Sequence, residues 1–315
     1  MERLDKDRRK QKKMNKWNIS QYPSQQGKVA IITGANSGIG FESALELAKK
    51  NMMVILACKR MDAAESAKNY ILKSHPTAQV TPMKVDLSSL NEVRKFAEDF
   101  KNRFDRLDVL ISNAGIMMSP YKETEDGFEN QLATNFIGHF ALTGLLMQIL
   151  LKTPDSRVIT LSSLSYKWAP INFNDLHFKN GYNKKKAYGQ SKRACLVFAY
   201  ELNRRLSSTG NSTISLAAHP GLSKTNLDRY FPALIRPLGS LFLQSAQNGA
   251  LPVLYAALQK ELKGGEYLGP DGFQEMRGNP TIVDSDEATK DTEIATRLWL
   301  SAEEMTGVHY TFTTF

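Results

Sequence analysis

The chain has 315 residues, of which 42% are hydrophobic, and its formal net charge is +9. This apolar content suffices for a full hydrophobic core, and the length fits one large α/β domain or two small ones. No stretch approaches the roughly 18 to 20 uninterrupted apolar residues of a membrane span, and the N-terminus lacks the apolar core of a signal peptide.

The positive charge is concentrated at the N-terminus. Residues 1–16 contain eight basic and three acidic residues, while the body is nearly balanced. Such a segment suits weak contact with an anionic membrane surface or nucleic acid, but we favour a solvated, disordered extension. We therefore assign 1–19 to a basic tail and 20–315 to one domain. We expect no nucleic-acid partner, because the body contains no recognisable nucleic-acid-binding module.

The cysteines bear on compartment and on metal binding. Cys58 and Cys195 both lie in apolar segments and are typical of small core residues in a reducing compartment. Neither belongs to a Cys-x-x-Cys or Cys/His spacing. We expect a cytoplasmic protein and predict no metal site.

From residue 28 onward, apolar runs alternate with helical patterns, as in βαβ units. Most runs lack a polar face, which is typical of strands covered on both sides. The pattern predicts a single-domain α/β fold, a Rossmann-type doubly wound sheet of about seven parallel strands with helices on both faces. The predicted strands are 28–34, 53–59, 79–85, 107–112, 157–162, 213–218 and 265–269. The predicted helices are 39–50, 62–74, 90–103, 126–151, 188–208, 246–262 and 286–301.

The first predicted strand ends in a glycine-rich turn. Residues Thr33 to Gly40 read Thr-Gly-Ala-Asn-Ser-Gly-Ile-Gly. Glycines permit positive φ and close approach of a pyrophosphate, and the N-terminus of the next helix attracts negative charge. The spacing Gly-x-x-x-Gly-x-Gly differs from the usual dinucleotide fingerprint, so an ordinary tight turn is the alternative.

The next strand ends bear on cofactor choice, because ligands of such sheets bind at the carboxyl ends of the strands. The second strand ends in Cys58-Lys59-Arg60, and two bases there suit a ribose 2′-phosphate, with solvated charges at a helix start as the alternative. Asp86 follows the third strand, where it either caps the next helix or binds an adenine amino group.

Two further segments could lie against the cofactor or belong to the core. Asn113-Ala114-Gly115 follows the fourth strand, where small residues allow backbone to lie against a flat cofactor, although a plain turn fits equally. Asn135 lies among apolar residues of the predicted helix 126–151. A buried amide without partners costs about 1–3 kcal/mol, so Asn135 needs partners whether it is a core residue or a catalytic one.

Ser163 follows the fifth strand, and Tyr188 and Lys192 come 25 and 29 residues later. A tyrosine and a lysine four residues apart share one helix face. An ammonium beside a phenol lowers the pKa of that phenol from about 10 and prepares it for proton exchange with a substrate oxygen. Tyr182 and Lys186 have the same spacing, but we prefer Tyr188 because its helix has an apolar face, whereas Tyr182 precedes a lysine-rich loop.

After Pro220-Gly221 and Thr225, the chain is unusually apolar for a loop. We interpret about 222–245 as a substrate lid, because loops of such length are often lids over active sites. A helix packed on the core is the alternative.

Taken together, these segments strongly resemble the short-chain dehydrogenases/reductases, in a retinol-dehydrogenase-like branch. The resemblance covers about residues 20–310 and rests on motifs that fall in the family's order. They are Thr33–Gly40, Asn113-Ala-Gly115, Asn135, Ser163, Tyr188-x-x-x-Lys192 and Pro220-Gly221.

The resemblance implies hydride transfer between a nicotinamide cofactor and a carbonyl or alcohol, with a Tyr, Lys, Ser and Asn catalytic set. Tyr188 would be the general acid in reduction and the base in oxidation, and Lys192 would lower the pKa of Tyr188 and bind the nicotinamide ribose. Ser163 would hold the substrate oxygen. Asn135 would order a water that joins Lys192 to solvent.

The resemblance also implies where the cofactor is bound. Its pyrophosphate and ribose would meet the glycine turn, its adenine would meet Asp86 and Leu87, and its carboxamide would meet Pro220 and Thr225. The cofactor-binding residues that we predict are Gly34, Ser37, Gly38, Ile39, Gly40, Lys59, Arg60, Asp86, Leu87, Asn113, Ala114, Gly115, Tyr188, Lys192, Pro220, Gly221 and Thr225.

We therefore expect an NADP(H)-preferring oxidoreductase, with NAD(H) as the alternative cofactor, acting on a lipophilic aldehyde, ketone or alcohol. A non-catalytic scaffold that senses NADP(H) is the alternative function. The resemblance further suggests a homodimer or homotetramer formed through the predicted helices 126–151 and 188–208.

Overall fold

A computed structural model describes residues 17–222 and 244–313 of the chain. Within these ranges, eight strands form one sheet in the order β3-β2-β1-β4-β5-β6-β7-β8. They are β1 Val29–Thr33, β2 Met53–Cys58, β3 Val80–Lys84, β4 Val109–Ser112, β5 Arg157–Leu161, β6 Ile214–Ala218, β7 Tyr267–Pro270 and β8 Pro280–Val283. The first seven run parallel and β8 is antiparallel to β7, which confirms the doubly wound α/β fold. The strand order reverses between β1 and β4, where such sheets bind ligands.

The helices pack in two layers, one on each face of the sheet. They are α1 Gly38–Lys49, α2 Met61–Ser74, α3 Leu90–Lys101, α4 over 130–145, α5 Met147–Lys152, α6 Lys184–Ser207, α7 Ala246–Leu258 and α8 Thr292–Thr306. One hydrophobic cluster contains residues of α3, α4, α6 and α8, and a second contains residues of α1, α2 and α7. Helices on both faces were predicted, and the layers confirm them.

Helix α4 differs from the long helix predicted over 126–151. It is α-helical over Asn130–Leu132, π-helical over Ala133–Ile137 and α-helical again over Gly138–Leu145. Its start is fixed by Glu129, whose carboxylate accepts hydrogen bonds from the backbone N–H groups of Gln131 and Leu132. Apolar periodicity does not register such a cap or a π-helical turn.

Other helix limits also depend on caps. Helix α6 begins at Lys184, four residues before its predicted start, because the side chain of Asn183 accepts hydrogen bonds from two first-turn N–H groups. Helix α7 ends at Leu258, before the predicted residue 262. Helix α8 begins at Thr292 after the capping residue Asp291, not at 286, and Gly307 ends it with φ of +62°.

Strand β8 was not predicted. It begins with Pro280, and Ile282 is 57% exposed. An edge strand tolerates proline at its first residue, where no ladder hydrogen bond is needed. A short edge strand with an exposed side chain lacks the fully apolar run that revealed the buried strands.

Residues 17–22 pack on the domain. The indole N–H of Trp17 donates to the hydroxyl of Tyr22 at 2.9 Å, and its ring centroid lies 5.8 Å from that of Tyr255 on α7. Residues 17–19, which the sequence analysis assigned to the tail, therefore contact the body. Among the described residues, no helix is long and apolar enough to cross a bilayer.

Most of the predicted lid, with Thr225, lies outside the described residues. At its two ends, the backbone N–H of Gln244 donates to the carbonyl of Leu222 at 2.8 Å. The two ends of the segment are therefore held together.

Candidate active site

The glycine turn after β1 fits a pyrophosphate. Gly34 and Gly38 have φ of +67° and +56°, values that favour glycine. Ser37 at the N-cap of α1 makes no side-chain capping bond, unlike Ser89 at the start of α3. The first turn of α1, which includes Ile39, therefore keeps N–H donors for an anion.

Hydrogen bonds of the buried residue Thr33 join the glycine turn to the end of β4. Thr33 Oγ1 accepts hydrogen bonds from the backbone N–H groups of Asn113 and Ala114, both at 2.9 Å. Asn113 Nδ2 donates to the carbonyl of Thr33 at 2.7 Å. A Cβ on Gly40 would lie 2.6 Å from the carbonyl oxygen of Gly34 and still closer to Asn113 Nδ2, so only glycine allows this packing. The predicted residues of the turn and of the β4 end are thus brought together.

The net positive charge at the end of β2 is smaller than its two basic residues alone would give. Lys59 Nζ lies 2.6 Å from Asp86 Oδ2, across the β2–β3 pair, so an acid does stand beside the two bases. Burial opposes ionisation of Asp86, but hydrogen bonds from Lys59 and Ser88 outweigh it and hold the pKa of this carboxyl below its ordinary value. Arg60 is exposed, and its side chain has no ion pair within the described ranges. Leu87 is buried, and its carbonyl packs against Gly138.

Tyr188 and Ser163 meet at the carboxyl edge of the sheet. Tyr188 is 6% exposed, and the Ser163 side chain interacts with its hydroxyl group. Burial raises the pKa of Tyr188 to about 12, and the interaction with Ser163 only partly opposes this rise. Tyr188 is therefore protonated at neutral pH. The expected lowering of its pKa by Lys192 is not seen in this structure.

Lys192 lies one helical turn after Tyr188 on α6. Its ammonium donates to the carbonyl of Leu161, at the end of β5, at 3.0 Å. Burial lowers the pKa of Lys192. The desolvation of Tyr188 thus outweighs any benefit from this ammonium, which is engaged by a backbone carbonyl.

Asn135 lies in the π-helical turn of α4 with its side chain fully engaged. Its Oδ1 accepts from the N–H of Ile116 at 2.8 Å, and its Nδ2 donates to the carbonyl of Ile116 at 3.0 Å and to Ser191 Oγ at 2.9 Å. A Cβ on Gly115 would lie 3.0 Å from Asn135 Oδ1 and 3.5 Å from Lys192 Nζ. Asn135 therefore connects the segment after β4 with helix α6, next to Lys192.

The alternative tyrosine, Tyr182, has a different environment. Its hydroxyl oxygen lies 2.9 Å from the carbonyl of Ser119 and 3.1 Å from Glu129 Oε1, and it accepts from Gln131 Nε2 at 2.7 Å. Tyr182 precedes α6, while Lys186 belongs to its first turn, so the lysine-rich segment is helical and not the expected loop. Tyr182 therefore anchors the segment before α6 to the start of α4.

A loop at the sheet edge holds Pro220 and Gly221. His219 Nε2 lies 2.9 Å from Glu275 Oε2, and His219 Nδ1 accepts from the N–H of Gly221 at 3.2 Å. The carbonyl of Pro220 accepts from Gln244 Nε2 at 2.6 Å. Gly221 has φ of +64° and packs directly on the backbone of Met276. The segment that follows β6 is thus held in place by its contacts with Gln244, Glu275 and Met276.

Sequence reasoning missed two side chains beside the predicted set. The ring of Trp168 lies 6.0 Å from that of Tyr188, and the ammonium of Lys185 lies 4.9 Å from the centre of the Trp168 ring. His139 is buried four residues after Asn135, a spacing that places both on one helix face and could have drawn attention to it. Trp168 had no such signal, because its position depends on the fold of the irregular segment between β5 and α6.

Comparison with known sequences gives consistent matches. A family model described as short chain dehydrogenase matches residues 28–233. Retinol dehydrogenase 13 of Homo sapiens is 38% identical over 293 residues, which cover 90% of this chain and 85% of that protein. Retinol dehydrogenase 12 of Mus musculus is 40% identical over 286 residues, which cover 90% of this chain and 88% of that protein.

Solved structures include similar chains. An uncharacterised protein from Mycobacterium paratuberculosis aligns with a TM-score of 0.80 and 38% identity, over 94% of this chain and 100% of that chain. Levodione reductase aligns with a TM-score of 0.65 and 19% identity, over 79% of this chain and 98% of that chain. The second likeness, at its low identity, supports the fold alone.

Proposed function

Because this chain belongs to the short-chain dehydrogenase/reductase family, in its retinol-dehydrogenase-like branch, it is an NAD(P)-dependent oxidoreductase acting on CH–OH groups, and we propose that its substrates are lipophilic aldehydes, ketones or the corresponding alcohols. We further propose that NADP(H) is preferred over NAD(H). The names of the retinol dehydrogenase relatives support a lipophilic substrate.

One observation carries the proposed chemistry. A buried, protonated phenol at Tyr188 interacts with the Ser163 side chain at the carboxyl edge of a doubly wound sheet, with Lys192 one helical turn away. In this arrangement the proton of a tyrosine is held next to a hydroxyl that can orient a substrate oxygen.

The roles we propose use this chain's own groups. The glycine turn and the N-terminus of α1 bind the pyrophosphate, and the end of β4 supports the nucleotide. Tyr188 Oη donates its proton to the carbonyl oxygen during reduction, and Ser163 Oγ holds that oxygen in place. The bound nicotinamide supplies or accepts the hydride. Lys192 binds the ribose, and Asn135 fixes the backbone beside Lys192.

The cofactor preference rests on the end of β2. Lys59 is paired with Asp86, so Arg60 is the side chain that we assign to the 2′-phosphate. Charge-assisted hydrogen bonds to phosphate are the strong ones among hydrogen bonds, and an arginine can make two in parallel.

The direct test measures NADPH oxidation by the purified full chain with alkyl aldehydes of graded length. We expect kcat/KM to rise with chain length, by up to about fourfold per methylene that is covered, until the pocket is full. A flat profile, or a preference for short polar carbonyls, would contradict the lipophilic substrate. Binding of NADPH without turnover of any carbonyl would favour the NADP(H)-sensing scaffold.

A matched pair of variants tests the proton donor. Tyr188→Phe should lower kcat by about 100-fold or more while leaving NADPH affinity nearly unchanged, because the phenol acts on the substrate oxygen. Tyr182→Phe removes the same hydroxyl group from a structural anchor, so it should lower the unfolding midpoint and spare kcat. The reverse pattern would assign the role to Tyr182.

A further inference from the structure

Helix α4 carries a buried histidine that touches both halves of the site. His139 is 1% exposed. Its Nε2 lies 2.8 Å from Thr33 Oγ1, and its Nδ1 lies 3.0 Å from the backbone carbonyl oxygen of Asn135. His139 therefore spans from the end of β1 to the π-helical turn that contains Asn135.

Counting donors fixes the proton positions in this chain of contacts. A threonine hydroxyl has one proton and two acceptor positions, and Thr33 Oγ1 already accepts from the N–H groups of Asn113 and Ala114. Its proton must therefore be donated, and His139 Nε2 at 2.8 Å is closer than the carbonyl of Ile111 at 3.3 Å. His139 Nε2 is then the acceptor. The ring proton lies on Nδ1 and is donated to the carbonyl of Asn135.

The Asn135 carbonyl receives a second side chain as well. Cys195 Sγ, on α6, donates to it at 3.1 Å. The same π-helical turn closes with a bond from the N–H of Gly138 to the carbonyl of Ala133, five residues back. His139 of α4 and Cys195 of α6 thus both bind the backbone carbonyl of Asn135, the residue whose side chain contacts Ile116.

We propose that His139 is a positioning residue that couples the nucleotide-binding ends of β1 and β4 to Asn135. Its acceptor nitrogen orders the Thr33 hydroxyl, which in turn orders the backbone of Asn113 and Ala114. Its donor nitrogen orders the peptide of Asn135. This inference rests on the proposed function, since it takes these residues to border the cofactor and Lys192.

Two substitutions separate the two contacts. His139→Leu removes both, so we expect kcat to fall about tenfold and the Kd for NADPH to rise about tenfold. His139→Asn keeps a donor for the Asn135 carbonyl and lacks the reach to Thr33. It should recover most of kcat while NADPH binding stays weak. This split would not arise from a merely structural role.

A control variant on the same helix separates a loss of stability from a loss of positioning. Thr143→Val removes a buried hydrogen bond from Thr143 Oγ1 to the carbonyl of His139, of 2.8 Å, on the side away from Asn135. It should lower the unfolding midpoint without changing kcat or the Kd for NADPH. A histidine that acted only through stability would behave as Thr143 does.

A readout independent of activity completes the test. In the chain labelled with ¹⁵N-histidine, the His139 signals, assigned by their loss in His139→Asn, should show a neutral ring protonated on Nδ1. A ring protonated on Nε2, or a wild-type kcat in a folded His139→Leu, would overturn the proposal, as would equal kcat in the Leu and Asn variants. If the wild-type chain reduces no carbonyl, the proposed function fails, and the tautomer with the NADPH affinities still decides the role of His139.

Discussion

Lys59 and Arg60 carry equal charge but differ in what surrounds them. Lys59 neutralises Asp86, whereas Arg60 is left for a ligand. We expect Arg60→Met to reduce the preference for NADPH over NADH about tenfold.

Lys59→Met should also reduce this preference, because the Asp86 carboxylate is then unpaired next to the phosphate. The double variant Lys59→Met with Asp86→Asn should restore most of the preference. The ratio of the two Kd values, by calorimetry, cancels any effect on the shared adenine.

The control for this prediction is Lys152→Met. Lys152 ends α5, far along the chain from the β2 end, and its loss changes the net charge equally. A similar drop in preference in this variant would mean that overall charge, and not the phosphate site, is being measured.

The burial of His139 should also appear in the pH dependence of stability. Burial lowers its pKa from 6.5 to about 4. As pH falls below 6.5, the unfolded chain binds a proton that the folded chain does not, so stability is lost down to about pH 4. The loss amounts to roughly 3 kcal/mol. His139→Asn should show a correspondingly shallower decline in urea unfolding between pH 7 and 4, and parallel curves would contradict it.

At the scale of elements, the loop 271–279 holds the backbone that follows β6. Gln274 and Glu275 both have positive φ, of +47° and +58°, and the backbone of this loop accepts the N–H of Leu222. Two adjacent non-glycine residues in the left-handed region store strain of order 1–3 kcal/mol each. The contacts with His219 and Gly221 offset that strain, so the loop and the strand end should move together.

Two glycines test this coupling. Gly221 has φ of +64° and faces the backbone of Met276, whereas Gly210 has φ of +70° and open space. Both alanine variants lose stability because alanine disfavours positive φ, but only Gly221→Ala must also displace the loop 271–279. We expect Gly221→Ala to lose more unfolding free energy than Gly210→Ala, by about 1–3 kcal/mol, and to raise the KM for NADPH. Equal losses would mean that the loop yields freely.

Elements differed in how far the sequence revealed them. The buried strands could be predicted because residues such as Ile31 and Ile55 need no solvent face. That Tyr188 and Lys192 lie on one helix could also be predicted, because the helix around them has an apolar face. The π-helical turn could not, since it accompanies hydrogen bonds of Asn135 to Ile116, a residue distant in sequence. The Lys59–Asp86 pair was within reach, because both residues follow neighbouring parallel strands.

At the scale of the whole molecule, the C-terminal residues cover helices α4 and α6. Trp299 on α8 packs against Phe140 and Phe198, with ring centroids 5.2 and 5.9 Å apart. Tyr310 donates its hydroxyl proton to the carbonyl of Phe140 at 2.6 Å. All residues of α6 from 187 to 199 are buried within the single chain. Within the described residues, this part of α6 is therefore covered by the chain itself.

We therefore expect the chain to be a monomer of 35.3 kDa by light scattering. Trp299→Ala should cost about 3–5 kcal/mol of unfolding free energy, because it empties the centre of this aromatic cluster. Leu300→Ala, on the neighbouring and 57% exposed position, should cost little. A stable dimer with cross-links between α6 helices of two copies would contradict the expectation.

The two free thiols lie beneath opposite halves of the site. The Cys58 thiol lies next to the backbone of Ala35 and Asn36 in the glycine turn, and the Cys195 thiol donates a hydrogen bond to the carbonyl of Asn135. Burial raises the pKa of Cys58 to about 11 and raises that of Cys195, so neither should react with thiol reagents in the closed fold. The rate at which each is labelled therefore measures how often its own half opens. Each side of the active site thus contains its own reporter of local opening. Bound nucleotide should slow the labelling of Cys58 more than that of Cys195.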